Sequence, residues 1–150
     1  MIKVKQQLFD LCLTYITQRL ATAKQAIQIA QASANEETKS SAGDKYETGR
    51  AMMQLEIEKN TVQLAEAQKL KQILDQIHPE KETQKVQPGS LVITDQGNFY
   101  IAISVGQISL NEKTYFAIAP SSPVGIKLAG RSAGDEFTFN NRTYSIRAIY

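Results

Sequence analysis

The sequence predicts an α+β protein, an N-terminal antiparallel helical hairpin followed by a small β-sheet domain with one short helix. Two observations predict it. Apolar residues recur at heptad spacing through the first half, and after residue 90 the pattern changes to short β-branched and aromatic runs. A third feature sits between the two helical stripes, the polar turn Ala34-Asn-Glu-Glu-Thr-Lys-Ser-Ser-Ala-Gly-Asp-Lys-Tyr46.

The first stripe runs through Phe9, Leu13, Ile16, Leu20, Ala23, Ile27, Ala30 and Ala34, in steps that alternate four and three. The second runs through Tyr46, Gly49, Met53, Ile57, Leu64, Ala67, Leu74 and Ile77, with Asn60 at one seam position. Two matching stripes around one turn describe two helices packed antiparallel. About 30 residues at roughly 1.5 Å each give an arm of about 45 Å with carboxylates near its tip. The hairpin is expected over 1–78, with its tip at 36–46. Pro79 disfavours helical geometry at His78 and marks the stop. The polar stretch 79–90, closing in Gln87-Pro-Gly-Ser, reads as a linker, and 91–150 as the second domain.

In that domain Leu91-Val-Ile-Thr, Asn98 to Val105 and Lys113 to Ala119 read as strands, separated by Asp95-Gln-Gly97 and Leu110-Asn-Glu. Glu136 to Phe139 and Thr143 to Tyr150 flank Asn140-Asn141, a two-residue hairpin turn, since Asn tolerates positive φ. Ser121 to Gly130 reads as a short helix opened by Ser-Pro and closed by Gly. About five strands and one helix result.

Composition excludes several functions. The net charge of +2 is too small to argue for nucleic acid by itself. One cysteine (Cys12) and one histidine (His78) build neither a disulfide, a zinc site nor a Cys/His pair. No window approaches a membrane span and no signal peptide precedes the first helix, so a cytoplasmic protein without membrane contact is expected. With no nucleophile–base pair and no glycine-rich phosphate loop, the chain is not expected to be an enzyme in its own right.

The segment Ser121-Ser-Pro-Val-Gly-Ile-Lys-Leu-Ala-Gly-Arg-Ser-Ala-Gly-Asp135 resembles the C-terminal signature of the GreA/GreB family of bacterial transcript-cleavage factors. Tyr46-Glu-Thr-Gly-Arg50 is similar to the Tyr-x-x-x-Arg that begins that family's second hairpin helix. The order of parts agrees over nearly the whole chain. The resemblance implies a coiled coil joined to an FKBP-like domain, and an RNA polymerase partner whose β and β′ subunits form the secondary channel that the hairpin enters. It further implies contact with the nascent RNA 3′ end, action as a monomer, and tip carboxylates that share a Mg²⁺ with the polymerase active site. Hard oxygen ligands suit that ion, and a second metal ion can activate the attacking water.

Aligned on Tyr46, the family's two acidic tip positions fall on Lys39 and Ala42. The candidate catalytic carboxylates are therefore neighbours: Asp44, Glu37 and Glu36, with Asp44 and Glu37 as the metal pair. Helix capping at Asp44 and a solvated helix end at Glu36 and Glu37 explain the same residues. Tyr46, Arg50, Ser122, Pro123, Gly130 and Asp135 are the candidate partner-binding residues. Lys3, Lys5, Arg19, Lys24, Arg50, Lys59 and Lys69 read as an RNA-facing basic surface or as solvated helix faces. Three functions remain: a factor for paused or backtracked complexes that stimulates transcript cleavage, a channel binder without cleavage, and a helical adaptor unrelated to transcription.

Overall fold

The computed structural model describes the backbone of residues 1–39 and 44–150, and the side chains of 1–36 and 47–150. Helix α1 spans Ile2–Lys39 and α2 spans Asp44–Asp75. Strands β1 (Leu91–Thr94), β2 (Gly97–Ile101), β3 (Gly106–Leu110) and β4 (Lys113–Ile118) follow, then α3 (Pro123–Leu128), β5 (Glu136–Phe139) and β6 (Arg142–Ile149). The protein is α+β, a long helical hairpin followed by a six-stranded mixed sheet with one short helix.

The chain forms two compact units. Residues 16–71 make the first, the upper part of the hairpin. Its inward stripes are Ala23 and Ala30 on α1 and Asn60 and Ala67 on α2, all buried. Small side chains there let two backbones approach closely. Asn60 satisfies its amide locally, donating through Nδ2 to the Glu56 carbonyl at 2.8 Å and to Glu56 Oε1 at 3.2 Å. Residues 16–39 alone supply about 36 Å of helix at about 1.5 Å per residue.

Residues 1–15 and 72–150 make the second unit. Its sheet runs β3-β4-β2-β1-β6-β5, antiparallel except for β2 beside β4. The Asn111-Glu112 and Asn140-Asn141 turns close β3–β4 and β5–β6 with positive φ at both positions (52° and 65°, 49° and 63°), the combination that matches strand twist. Alternate residues of one sheet face, with Val86 and Leu128, form the core: Val92, Phe99, Ile101, Phe137, Tyr144 and Ile146. Phe137 stacks on Tyr144 with ring centroids 4.9 Å apart. Leu91, Tyr100, Tyr115 and Ala117 of the other face are buried as well.

Three findings differ from the sequence expectation. The sheet has a sixth strand, β3, because the run from Asn98 to Val105 breaks after Ile101 and the chain turns through 102–105 before pairing with β4. On the first turns of α1 the fully buried positions are Lys5, Leu8 and Cys12, one step off the expected Phe9 and Leu13, which are half-buried. Lys5 was grouped with surface cations, yet its side chain is buried and Nζ donates to the Lys81 carbonyl at 2.5 Å.

The polar stretch 79–90 is bonded into the sheet unit. Thr83 Oγ1 lies 2.6 Å from Ser90 Oγ and donates to the Tyr150 carbonyl at 3.1 Å. Val86 is buried; its N–H donates to the Arg131 carbonyl and its carbonyl accepts from Gly130 N–H, both at 2.9 Å.

Candidate functional site

Helix α1 ends at Lys39 and α2 begins at Asp44, and residues 40–43 between them lie outside the described residues. The side chains of Glu37, Asp44 and Tyr46 lie outside the described residues. Glu36 and Glu47 are exposed on either side of the apex. Among the described residues no group of three His, Cys, Asp or Glu side chains is placed to hold a metal ion. Glu36 is thus the one candidate carboxylate whose surroundings are described, and an exposed single carboxylate does not make a Mg²⁺ site.

Just below the apex, the facing helices border a cleft of about 410 Å³ lined by Gln31, Ala34, Asn35, Arg50, Gln54 and Ile57. Among the described lining residues, Arg50 shares this cleft with three primary amides, Gln31, Asn35 and Gln54. Such a lining offers N–H donors to an anionic or amide-bearing group. Sequence reading singled out Arg50 but not the amides, since glutamine and asparagine at outward helix positions carry no signal of their own.

The Ser121 to Asp135 segment folds as its residues dictate. Ser122 caps α3: its Oγ accepts from Gly125 N–H at 3.1 Å and donates to the Ala119 carbonyl at 2.7 Å. Pro123 occupies the first turn, where its missing N–H costs nothing. Gly125 is enclosed, and a Cβ there would lie 2.4 Å from the Ala119 carbonyl oxygen. Gly130, at φ +75°, turns the chain out of the helix into its bond with Val86. Arg131 then ties α3 to β5: Nε donates to the Lys127 carbonyl, Nη1 donates to the Glu136 carbonyl at 3.1 Å, and the guanidinium lies 5.3 Å from the Phe137 ring centroid. Asp135 closes the turn, with its carboxylate accepting from Ser132 N–H at 2.8 Å.

Of the four candidate docking residues here, Pro123, Gly130 and Asp135 are exposed and Ser122 is half-buried. Their bonds serve the fold of this turn. Ile126, 65% exposed on the same short helix, is an apolar surface residue that the signature did not single out.

A second cluster was not legible beforehand. Tyr100 is fully buried, and its hydroxyl, like Gln7 Oε1, finds no protein partner among the described residues. Burial pushes the Tyr100 hydroxyl up from its ordinary value, with the nearby Cys12 and Asp10 adding to the shift. Burial likewise pushes the Cys12 thiol up to about 12. The Lys5 ammonium is held below its usual range by burial, which Glu82 and Glu80 partly oppose. Neither the Cys12 thiol nor the Tyr100 hydroxyl is a poised acid, base or nucleophile near neutral pH.

Among the described residues no helix is long and apolar enough to cross a membrane. No protein-family model matches the chain, and no curated protein matches it. A solved structure described as that of the transcription factor Gfh1 is similar at 19% identity over 91% of this chain and 92% of that one, with a TM-score of 0.36. A TM-score that low carries no functional argument.

Proposed function

We propose that this chain is a Gre-like factor that enters the secondary channel of RNA polymerase with its helical hairpin and acts on paused or backtracked elongation complexes. The observation that carries the reading is the hairpin itself. Two helices of 38 and 32 residues meet across four residues, over a seam of alanine and asparagine that keeps the pair thin. A thin charged-tipped rod suits a confined channel. The Ser122 to Asp135 turn, whose sequence resembles the GreA/GreB signature, supplies the second support, and its exposed Pro123 and Ile126 offer a docking surface.

Whether the bound factor stimulates cleavage depends on Glu37 and Asp44. Lys39 and Ala42, at the positions where the family carries its acids, favour the second reading, a channel binder that modulates transcription without cleavage.

The test uses the full chain, purified bacterial core polymerase and a stalled, backtracked complex with end-labelled RNA. Binding is expected, and it is expected to weaken when the hairpin apex is replaced by a bulky fusion. If wild type shortens the RNA from its 3′ end and Asp44→Ala or Glu37→Ala abolishes this without loss of binding, the cleavage reading holds. Binding with altered pausing but no shortening selects the non-cleaving reading. No binding to polymerase at all overturns both and leaves an adaptor unrelated to transcription.

A further inference from the structure

The outer face of α2 carries a second stripe. Met52, Leu55 and Val62 are exposed at 59%, 66% and 59%, and Lys59 and Glu66 share their side of the helix. At about 100° per residue these five positions fall within about 80° of one another. The inward residues Ile57, Asn60, Leu64 and Ala67 lie on the other side. A soluble hairpin needs only its inward stripe, so three large apolar side chains in line on the outside call for a reason.

We propose that this outer stripe pairs with the same stripe of a second copy of the chain, antiparallel about a two-fold axis beside Val62. The register follows from charge. Setting residue 59 opposite residue 66 places Lys59 of each copy against Glu66 of its mate, twice by symmetry. The same register sets Leu55 opposite Leu70, brings the two Val62 side chains together at the axis, and sets Glu56 opposite Lys69, so no like charges face each other. Neither Lys59 nor Glu66 has an ion-pair partner within the chain among the described residues. A neutral contact of a few apolar residues per side, rimmed by opposite charges, gives a weak, concentration-dependent dimer rather than an obligate one. The monomer expected from the sequence is then the dilute form. Because paired hairpins are too wide for a channel that admits one, self-pairing would compete with the proposed polymerase binding, and in this consequence alone it rests on that reading.

The test is sedimentation of the full-length chain over a concentration series. Wild type is expected to shift from monomer toward dimer. Leu55→Glu is expected to abolish the shift; at 66% exposure the side chain contributes little to the monomer's fold. Lys59→Glu and Glu66→Lys are each expected to weaken the dimer about tenfold, because two like-charge contacts replace two attractive ones. The double exchange Lys59→Glu with Glu66→Lys is expected to restore it, which a general change in net charge would not do. A monomer at every concentration overturns the proposal, as does a dimer indifferent to Leu55→Glu or a double exchange that fails to rescue. If the chain stays monomeric and Leu55→Glu instead weakens polymerase binding, the stripe belongs to that partner and self-pairing is refuted while the polymerase reading stands.

Discussion

Replacing Gly125 by alanine tests whether the Ser-Pro segment is held together as described. A Cβ at this position meets the Ala119 carbonyl oxygen at 2.4 Å, the Pro120 carbonyl oxygen at 2.8 Å and Ser122 Oγ at 2.9 Å. Two of the three are backbone atoms, so no side-chain rotation relieves the overlap. Restoring normal contact requires the start of α3 to move by about 1 Å, which lengthens the bonds that Ser122 makes to Ala119 and Gly125. Overpacking of this kind costs about 1–3 kcal/mol, and a weakened N-cap about 1 kcal/mol more. Alanine's better helix propensity returns about 1 kcal/mol. The net expectation is a loss of about 2 kcal/mol, or roughly 8–16 °C in Tm for a unit of this size. Gly130→Ala provides the contrast: nothing lies within 4 Å of its Cβ, but its φ of +75° strains an L-residue by about 1 kcal/mol. Urea unfolding followed by tyrosine fluorescence reports on the sheet unit directly, because the chain has no tryptophan and Tyr100, Tyr115 and Tyr144 are buried there. Gly125→Ala as stable as wild type, or less damaging than Gly130→Ala, would refute the packing argument.

Cys12 is expected to resist thiol reagents in the native state. Burial that raises the thiol to about 12 cuts the thiolate fraction near neutral pH about a thousandfold, and denaturant should restore ordinary reactivity. Labelling by a disulfide reagent with and without urea measures this, and fast native labelling would contradict it. Stability is expected to fall as pH rises above about 9, because Cys12 and Tyr100 keep their protons in the folded chain after the unfolded chain has lost them. Each contributes a slope of up to about 1.4 kcal/mol per pH unit. Lys5 acts in the opposite sense: its lowered value makes folding more favourable as pH rises toward 10.5. Urea midpoints across pH check the balance, and Cys12→Ala should flatten the first part of the decline. Asn60→Leu is expected to stabilise the hairpin by about 1 kcal/mol while loosening its register, because both Asn60 bonds stay within α2 and no partner on α1 is orphaned. Thermal melting by circular dichroism reads the first effect.

Much of the fold was legible because short-range chemistry dictates it. Asn140-Asn141 announces a tight turn since few residues accept positive φ twice in succession, and Ser122-Pro123 announces a helix start. Strand β3 was hidden because Gly106-Gln-Ile-Ser-Leu buries one residue, Ile108, and is held by its pairing with β4 rather than by its own pattern. The burial of Lys5 was illegible for a different reason. Lysine is almost never buried unless paired, and its acceptor is a backbone carbonyl 76 residues away. At the candidate site, Arg50 could be picked out by its spacing from Tyr46, whereas the amides that share its cleft could not. Tip carboxylates Glu37 and Asp44 remain candidates on sequence alone.

The pair of hydrogen bonds between Val86 and the Gly130-Arg131 backbone has a practical consequence for dissecting the protein. A fragment that begins at Leu91 would lose Val86 from its core, the Lys85–Ser132 bridge, and the Thr83 bonds to Ser90 and Tyr150. A protease that cuts between Thr83 and Val86 would do the same damage in the intact chain. Residues 1–15 belong to the same compact unit, with Lys5 Nζ donating to the Lys81 carbonyl. The sheet is therefore best studied in the full chain, and nicking between Thr83 and Val86 should be read as unfolding of the sheet rather than as separation of two domains.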